Sequence, residues 1–298
     1  EKTFHSPKSF NNHLGVPISL SNLSCHDKFG VFEVGMSKTG EIGKLSKLIR
    51  PHIGVITNVG EAHLENFKDI KGIAKAKSEI IENIEDGGTI ILNRDNKFFN
   101  YLFKKAKARN LKISTFGKNK KSDVCFKKII RGKKFSKIFI KVNNQTIKFD
   151  IQDLNVANVL AAISVLNELK VDLIKSKSKF KNIGPSEGRG KKYSISRYKK
   201  KFKLIDESYN ANPLSVKIAI KNLNSIKKQK FKKYLLLGDM LELGDKSEEL
   251  HKNLSKVINN TDIDKVFIKG DKTLTTYKNI HKDKRGNIFQ QEEDIDFT

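Results

Sequence analysis

Cysteine is nearly absent: Cys25 and Cys125 are the only two in 298 residues. They are too far apart for a zinc or C-x-x-C spacing, which excludes a cysteine-ligated metal and a disulfide scaffold. A reducing, cytoplasmic setting is therefore expected. No stretch approaches the roughly 20 apolar residues of a membrane span, and the opening residues do not read as a signal peptide. G-x-x-x-x-G-K-[ST] occurs nowhere, so the familiar glycine-rich phosphate cradle and its lysine are not among these residues. Acidic residues are also scarce, 33 against 59 Lys+Arg, for a formal net charge of +26.

That charge raises the question of a nucleic-acid partner. The lysines, however, spread over almost the whole chain, far outnumber arginines and accompany many Asn and Ile. This is the composition of a lysine- and asparagine-biased proteome. The densest runs, at residues 118–121, 131–137 and 199–203, fall in loops or at strand edges and read as solvated faces. No nucleic-acid partner and no membrane span are expected. A hydrophobic content of 37% with 19 Phe supports real cores, and the length allows two domains. The sequence opens on Glu1 without a methionine and closes at Thr298 inside a charged segment, so a piece of a longer protein is expected.

The pattern is α/β. Residues 29–34 (FGVFEV) and 53–56 (IGVI) read as short buried strands. The first carries Glu33 near its carboxyl end; the second runs into Thr57, Asn58, Gly60, Glu61 and His63. A helix over 69–85 follows, then a strand at 89–92, a helix over 98–109, and β-rich runs across 111–151 that suggest antiparallel hairpins around Asn143-Asn144. A strong amphipathic helix spans 155–170, with Asp153 or Asn155 as its N-cap. Continuous apolar runs alternating with helical patterns indicate a mostly parallel sheet flanked by helices. A glycine-rich charged linker (184–192, GPSEGRGKK) divides a first domain, 1–185, from a second α/β unit, 186–298. In that unit Asn212-Pro213 reads as an N-cap and first helical residue, and Asp245 with Glu248 as a capping box.

Lys77 is the anomaly. Ile70, Ile73, Ala74, Ile80, Ile81 and Ile84 form one apolar stripe, and Lys77 falls in its middle, whereas Lys71 and Lys75 lie off it. An inward ammonium is costly, so such a lysine is paired, neutralised, chemically modified, or snorkels from the edge of the stripe. In parallel α/β sheets ligands bind beyond the carboxyl ends of the strands. Glu33, Asn58 and His63 gathered there with Lys77 would make a divalent-metal and phosphate site.

Seven stretches in order spell a family. FNNHLGVP (10–17), VFEVG (31–35), GEIGKL (40–45), TNVGEAHLE (57–65), AKAKSEI (74–80), IDESYNANP (205–213) and LGDMLELG (237–244) resemble the Mur ligases. FNNHLGVP, SYNANP and GDMLELG are most similar to the branch that adds a dipeptide. The resemblance implies a central ATPase domain over 1–185 and an incomplete Rossmann-like domain over 186–298. It implies ATP and Mg2+, with UDP-N-acetylmuramoyl-tripeptide and D-alanyl-D-alanine as substrates, an acyl phosphate intermediate, and a monomer. By position, Glu33 and His63 become metal ligands, and Lys77 becomes the lysine that is carbamylated to a metal-binding carbamate. Asn58, Asn155, Asn158, Arg189 and Glu207 are expected at the nucleotide, the two asparagines of the 155–170 helix at its adenine. Asn11, Asn12, Ser208, Tyr209, Asn210 and Asn212 are expected to face substrate. Asn155, Asn210 and Asn212 could equally be only cap or turn residues.

The chain departs from the family pattern in places. The phosphate loop would precede Glu1, so these residues alone are expected not to turn over ATP. Leu154 stands where His is usual, Gln152 where Gly is common, and Glu207 replaces Asp. The alternatives are another ligase of the superfamily (a single-amino-acid-adding Mur ligase or folylpolyglutamate synthase), a non-catalytic remnant, and a basic nucleic-acid binder.

Overall fold

The computed structural model describes residues 2–61, 64–132, 135–152, 154–197, 199–228 and 231–290. The chain divides into two compact units, Glu1–Val59 with Phe67–Gly184, and Gly60–Asn66 with Pro185–Thr298.

The first unit opens with β1 (Thr3–His5), α1 (Gly15–Ser21) and β2 (Phe29–Val31), then α2 (Glu41–Ile49) and β3 (Ile53–Ile56). It continues with α3 (Ile70–Ser78), β4 (Thr89–Asn93), α4 (Phe99–Ala108) and β5 (Lys112–Gly117), then β6 (Val124–Ile130), β7 (Ser136–Val142) and β8 (Gln145–Ile151). α5 (Val156–Glu168) and a short α6 (Leu173–Ser176) complete it. Strands β3 to β8 form one six-stranded sheet in sequence order. The β3–β6 pairings are parallel and the β6–β7–β8 pairings antiparallel, so the antiparallel section extends the parallel sheet rather than standing apart. Asn143 and Asn144, both at positive φ (48° and 64°), make the tight β7–β8 turn.

The core lies between this sheet and α5, where Ile91, Phe116, Ile140, Phe149, Leu160 and Ile163 are buried. Ile91 belongs to that cluster, whereas its strand neighbours Ile90 and Leu92 are equally buried outside it. Both faces of β4 are therefore covered, as an all-apolar strand requires.

Two elements of this unit depart from expectation. The 29–34 strand stops at Val31, and it pairs in parallel with β1 instead of joining the large sheet. The reason is local: the backbone beyond Val31 bonds back to the opening segment, Glu33 N to Ser6 Oγ (3.3 Å) and Gly35 N to Asn11 O (2.7 Å). Glu33 is thus not on a strand of the main sheet. The 69–85 helix is α-helical only to Ser78 and tightens to 3₁₀ over Glu79–Asn83. Glu79 there sends its carboxylate to the amides of Gly40 (2.7 Å) and Gly43 (3.0 Å) at the start of α2. Of the two N-cap candidates for α5, Asn155 is the cap, and Asp153 lies outside the described residues.

The second unit contains a β9 (Lys191–Arg197) and β10 (Lys200–Asp206) hairpin. Its paired residues Tyr193–Leu204 and Ile195–Phe202 lie on one face, and the intervening pairs Ser194–Lys203 and Ser196–Lys201 on the other. α7 (Pro213–Ser225), β11 (Tyr234–Gly238), α8 (Ser247–Asn259), β12 (Lys265–Lys269), α9 (Thr273–Asn279) and β13 (Arg285–Phe289) follow. β11, β12 and β13 form a parallel sheet with Val266 and Ile268 buried. The capping box of Asp245 and Glu248 does not form. Asp245 sits inside a 3₁₀ turn (Gly244–Lys246) that runs directly into α8, and Lys246 at the N-cap position is already helical. α9 was missed because seven residues are too few to show a period.

Candidate functional site

In the first unit, polar side chains tie together the carboxyl ends of β3, β4 and β5. Asn93 donates to Thr57 O (3.0 Å), and Asn96 donates to Asn58 Oδ1 (2.5 Å) and Val59 O (2.9 Å). The Asp95 carboxylate accepts from the amides of Lys118 (2.6 Å) and Asn119 (2.9 Å). Gly117 must be glycine here, because a Cβ would lie 2.8 Å from Asp95 Cγ. Behind this edge lies a cavity of about 150 Å³, bounded by Asn93, Asp95 and Asn155 on its polar side and by Phe116, Val156 and Leu160 on its apolar side. Cavities of about 150 Å³ accept a single aromatic ring.

Asn155 caps α5: its Oδ1 accepts from Ala157 N (2.9 Å), which leaves the amide NH2 to donate. Asn158, one turn on, is exposed. Gln152 has its own employment, donating to Lys181 O (2.9 Å) and packing on Gly184, where a Cβ would meet Gln152 Oε1 at 2.7 Å.

Glu33 is exposed, and one carboxylate oxygen accepts from Asn11 Nδ2 at 2.8 Å. Gly35 permits this, because a Cβ there would sit 2.9 Å from Asn11 Cγ. Asn12 does not join Asn11. Its Oδ1 caps the start of α1 through Leu14 N (3.1 Å) and Gly15 N (2.9 Å), so its observed role is structural. Lys77 is half-buried with no hydrogen-bond or ion-pair partner among the described residues, and burial lowers its pKa from the ordinary 10.5. His63 lies outside the described residues. Among the described residues no three His, Cys, Asp or Glu side chains cluster to hold a metal ion.

In the second unit Arg189, Glu207, Ser208 and Tyr209 gather where the linker meets the end of β10. The Arg189 guanidinium lies 4.1 Å over the Tyr209 ring. Glu207 Oε1 would be 3.3 Å from a Cβ on Gly190. The Glu207 pKa is raised, first by burial and then by the adjacent Asp206 carboxylate. Asn212 caps α7, accepting from Leu214 N (3.1 Å) and Ser215 N (2.9 Å) in a reciprocal box with Ser215. Asn210 is exposed. Asp206 was overlooked. It lies inside IDESYNANP, and the only available signal was a second acid beside Glu207. In LGDMLELG, Asp239 accepts from Lys272 N (3.2 Å) and Thr273 N (2.8 Å), while the Met240 amide donates to buried His251 Nε2 (3.1 Å).

A six-stranded mixed sheet with polar groups at its parallel carboxyl edge, followed by a smaller unit with its own parallel sheet, is an α/β architecture in which ligands bind beyond the carboxyl ends of the strands. The chain belongs to the Mur ligase family: residues 1–166 match the Mur ligase middle domain, and residues 194–295 the Mur ligase, glutamate ligase domain. It is 32% identical over 262 residues to the UDP-N-acetylmuramoyl-tripeptide–D-alanyl-D-alanine ligase of Bacillus subtilis, covering 88% of this chain and 55% of that protein. A crystal structure of MurF from Acinetobacter baumannii superposes with a TM-score of 0.87 at 27% identity, over 98% of this chain and 62% of that one. MurF from Thermotoga maritima, solved in complex with ADP, shares the fold with a TM-score of 0.83 at 24% identity, over 99% and 66% of the two chains. The chain thus spans a little over half the length of the curated relative. Among the described residues no helix is long and apolar enough to cross a membrane.

Proposed function

We propose that this chain supplies the nucleotide-binding and closing portions of an ADP-forming ligase that joins D-alanyl-D-alanine to UDP-N-acetylmuramoyl-tripeptide. The observation that carries this reading is the ring-sized cavity under Asn155, at the carboxyl edge of a parallel sheet in a Mur ligase middle domain. One ring of a purine entering there would rest against Phe116, Val156 and Leu160, with the free Asn155 NH2 as a donor at its edge. Arg189 and Glu207 are assigned to the nucleotide by the family pattern alone.

In the proposed reaction the peptide carboxylate attacks the γ-phosphoryl group of ATP, and ADP departs. The amine of D-alanyl-D-alanine then attacks the acyl phosphate, and inorganic phosphate leaves as the amide forms. The demand is neutralisation of charge on the phosphoryl oxygens. The donor set fits magnesium in part. Glu33 offers an exposed carboxylate that Asn11 orients through one oxygen, and Mg2+ is commonly held by one or two carboxylates with waters completing its shell. When bound, the ion would supply Lewis-acid neutralisation of phosphoryl charge. Lys77 is half-buried and unpaired among the described residues, and burial shifts its pKa downward, the direction that favours the neutral amine CO2 reacts with. Its carbamate would bring a second anionic donor.

The test is ADP release by the intact protein carrying these residues, with each amine offered in turn to the UDP-linked tripeptide. Release dependent on D-alanyl-D-alanine supports the reading, whereas release dependent on glutamate or another single amino acid would overturn it. The 298 residues alone contain no G-x-x-x-x-G-K-[ST] and are expected to leave ATP intact.

A further inference from the structure

We propose that Asp206 is a positioning residue that fastens the Gly188–Gly190 turn to the end of β10, and so sets Arg189 and Glu207 for the nucleotide. The inference rests on the nucleotide role proposed above for those two residues. Asp206 is the centre of four hydrogen bonds. Its Oδ2 accepts from Gly188 N (3.0 Å), its Oδ1 from Ser208 N (3.1 Å) and Ser208 Oγ (2.6 Å), and its main-chain oxygen from Gly190 N (2.7 Å). A return bond runs from Tyr209 N to Gly188 O (3.1 Å).

The turn so fixed is one that side chains resist. Gly188 and Gly190 have φ of +68° and +93°, and a Cβ on Gly188 would lie 2.7 Å from Tyr209 Cβ. Arg189 is held between them with its guanidinium on the Tyr209 ring, and Glu207 follows Asp206 directly. Among the described residues, the hydrogen bonds named above hold the Gly188–Gly190 turn against the 206–209 segment through Asp206 and through the Tyr209 N to Gly188 O bond. The side chain is suited to the task because a carboxylate accepts at both oxygens, one toward the linker and one toward Ser208. Asparagine, with a single acceptor oxygen, can serve only one side. The same hydrogen bonds hold the Asp206 carboxyl below its ordinary range, those of Ser208 foremost, and its charge helps to push Glu207 up.

The experiment measures the affinity of the intact protein for ADP by calorimetry, for Asp206→Ala, Asp206→Asn, Arg189→Ala and the Asp206→Ala/Arg189→Ala double variant. Hydrogen exchange at the Gly188 and Gly190 amides is read on the same samples. Asp206→Ala is expected to weaken ADP binding about 10-fold, the effect of losing a charge-assisted anchor, and to speed exchange at both amides. The two effects should be less than multiplicative in the double variant, because the aspartate acts in part through the arginine. ADP affinity within about two-fold of the parent for Asp206→Ala, or effects that multiply in the double variant, would overturn the proposal. If Arg189→Ala itself leaves ADP affinity unchanged, the nucleotide reading fails and this inference fails with it. An effect of Arg189→Ala without one of Asp206→Ala sinks the positioning role alone. Should the alanine variant not fold, the near-isosteric Asp206→Asn carries the same comparison.

Discussion

Asn11 Nδ2 lies 2.8 Å from Glu33 Oε1, so the asparagine expected to face substrate is hydrogen-bonded to the carboxylate expected to hold metal. An outer partner of this kind fixes which way a carboxylate points, and losing one commonly lowers metal affinity by about 10-fold or more. Asn11→Leu in the intact protein should therefore raise the Mg2+ concentration needed for half-maximal ADP release by roughly that factor. Titrating Mg2+ at saturating substrates checks it. An unchanged Mg2+ requirement would remove Glu33 or its partner from the metal site.

Lys77 gives a pH prediction with a definite sign. Burial lowers its folded pKa below the ordinary 10.5, so between the two values the unfolded chain binds a proton that the folded chain does not. Stability contributed by this group rises with pH across that window, and the full penalty persists below the folded pKa. Lys77→Met should therefore stabilise the chain by about 1 kcal/mol near neutral pH and flatten the rise at alkaline pH, as read by urea unfolding. The same change should abolish ligase activity. Labelled bicarbonate added to the parent protein should give a carbamate resonance that Lys77→Met lacks.

Asn155 and Asn212 allow cap and ligand roles to be separated. Asn155→Asp keeps the oxygen that accepts from Ala157 N but removes the NH2 donor, so stability should hold within about 0.5 kcal/mol while the KM for ATP rises about 10-fold. Asn212→Ser keeps a cap oxygen for Leu214 and Ser215, whereas Asn212→Ala should cost about 1 kcal/mol. Activity retained in Asn212→Ser would make that residue a cap and nothing more.

His251 is fully buried, with Nδ1 2.7 Å from Ser247 O and Nε2 accepting from Met240 N at 3.1 Å. His251→Ala leaves a cavity and an unsatisfied buried amide at the start of the LGDMLELG loop. The expected loss is about 3 kcal/mol in denaturant unfolding, against about 1 kcal/mol if the ring were only filling space near the surface.

Much of the frame was legible because long periodic segments carry their own signal. The 155–170 pattern became α5 with Leu160 and Ile163 buried, Asn143-Asn144 became the β7–β8 turn, and Asn212-Pro213 opened α7. Short or cooperative features were not. β2 ended early because its backbone found partners in the opening segment, and α3 tightened at Glu79, whose carboxylate serves two amides more than 30 residues upstream. Strand β9 does not stand out in the sequence, because serine separates its apolar residues Tyr193 and Ile195 and lysine precedes them.

The sequence by itself determined the α/β class, the family, the glycine-rich linker and the anomaly of Lys77. These follow from composition, period and motif, which need no partner to be read. The tertiary structure decided which polar groups are already engaged. It set the Asn12 oxygen against the amides that open α1, Asn11 against Glu33, and Asp206 at the centre of the linker turn. A hydrogen bond depends on where distant backbone amides end up, and only the folded chain sets that distance.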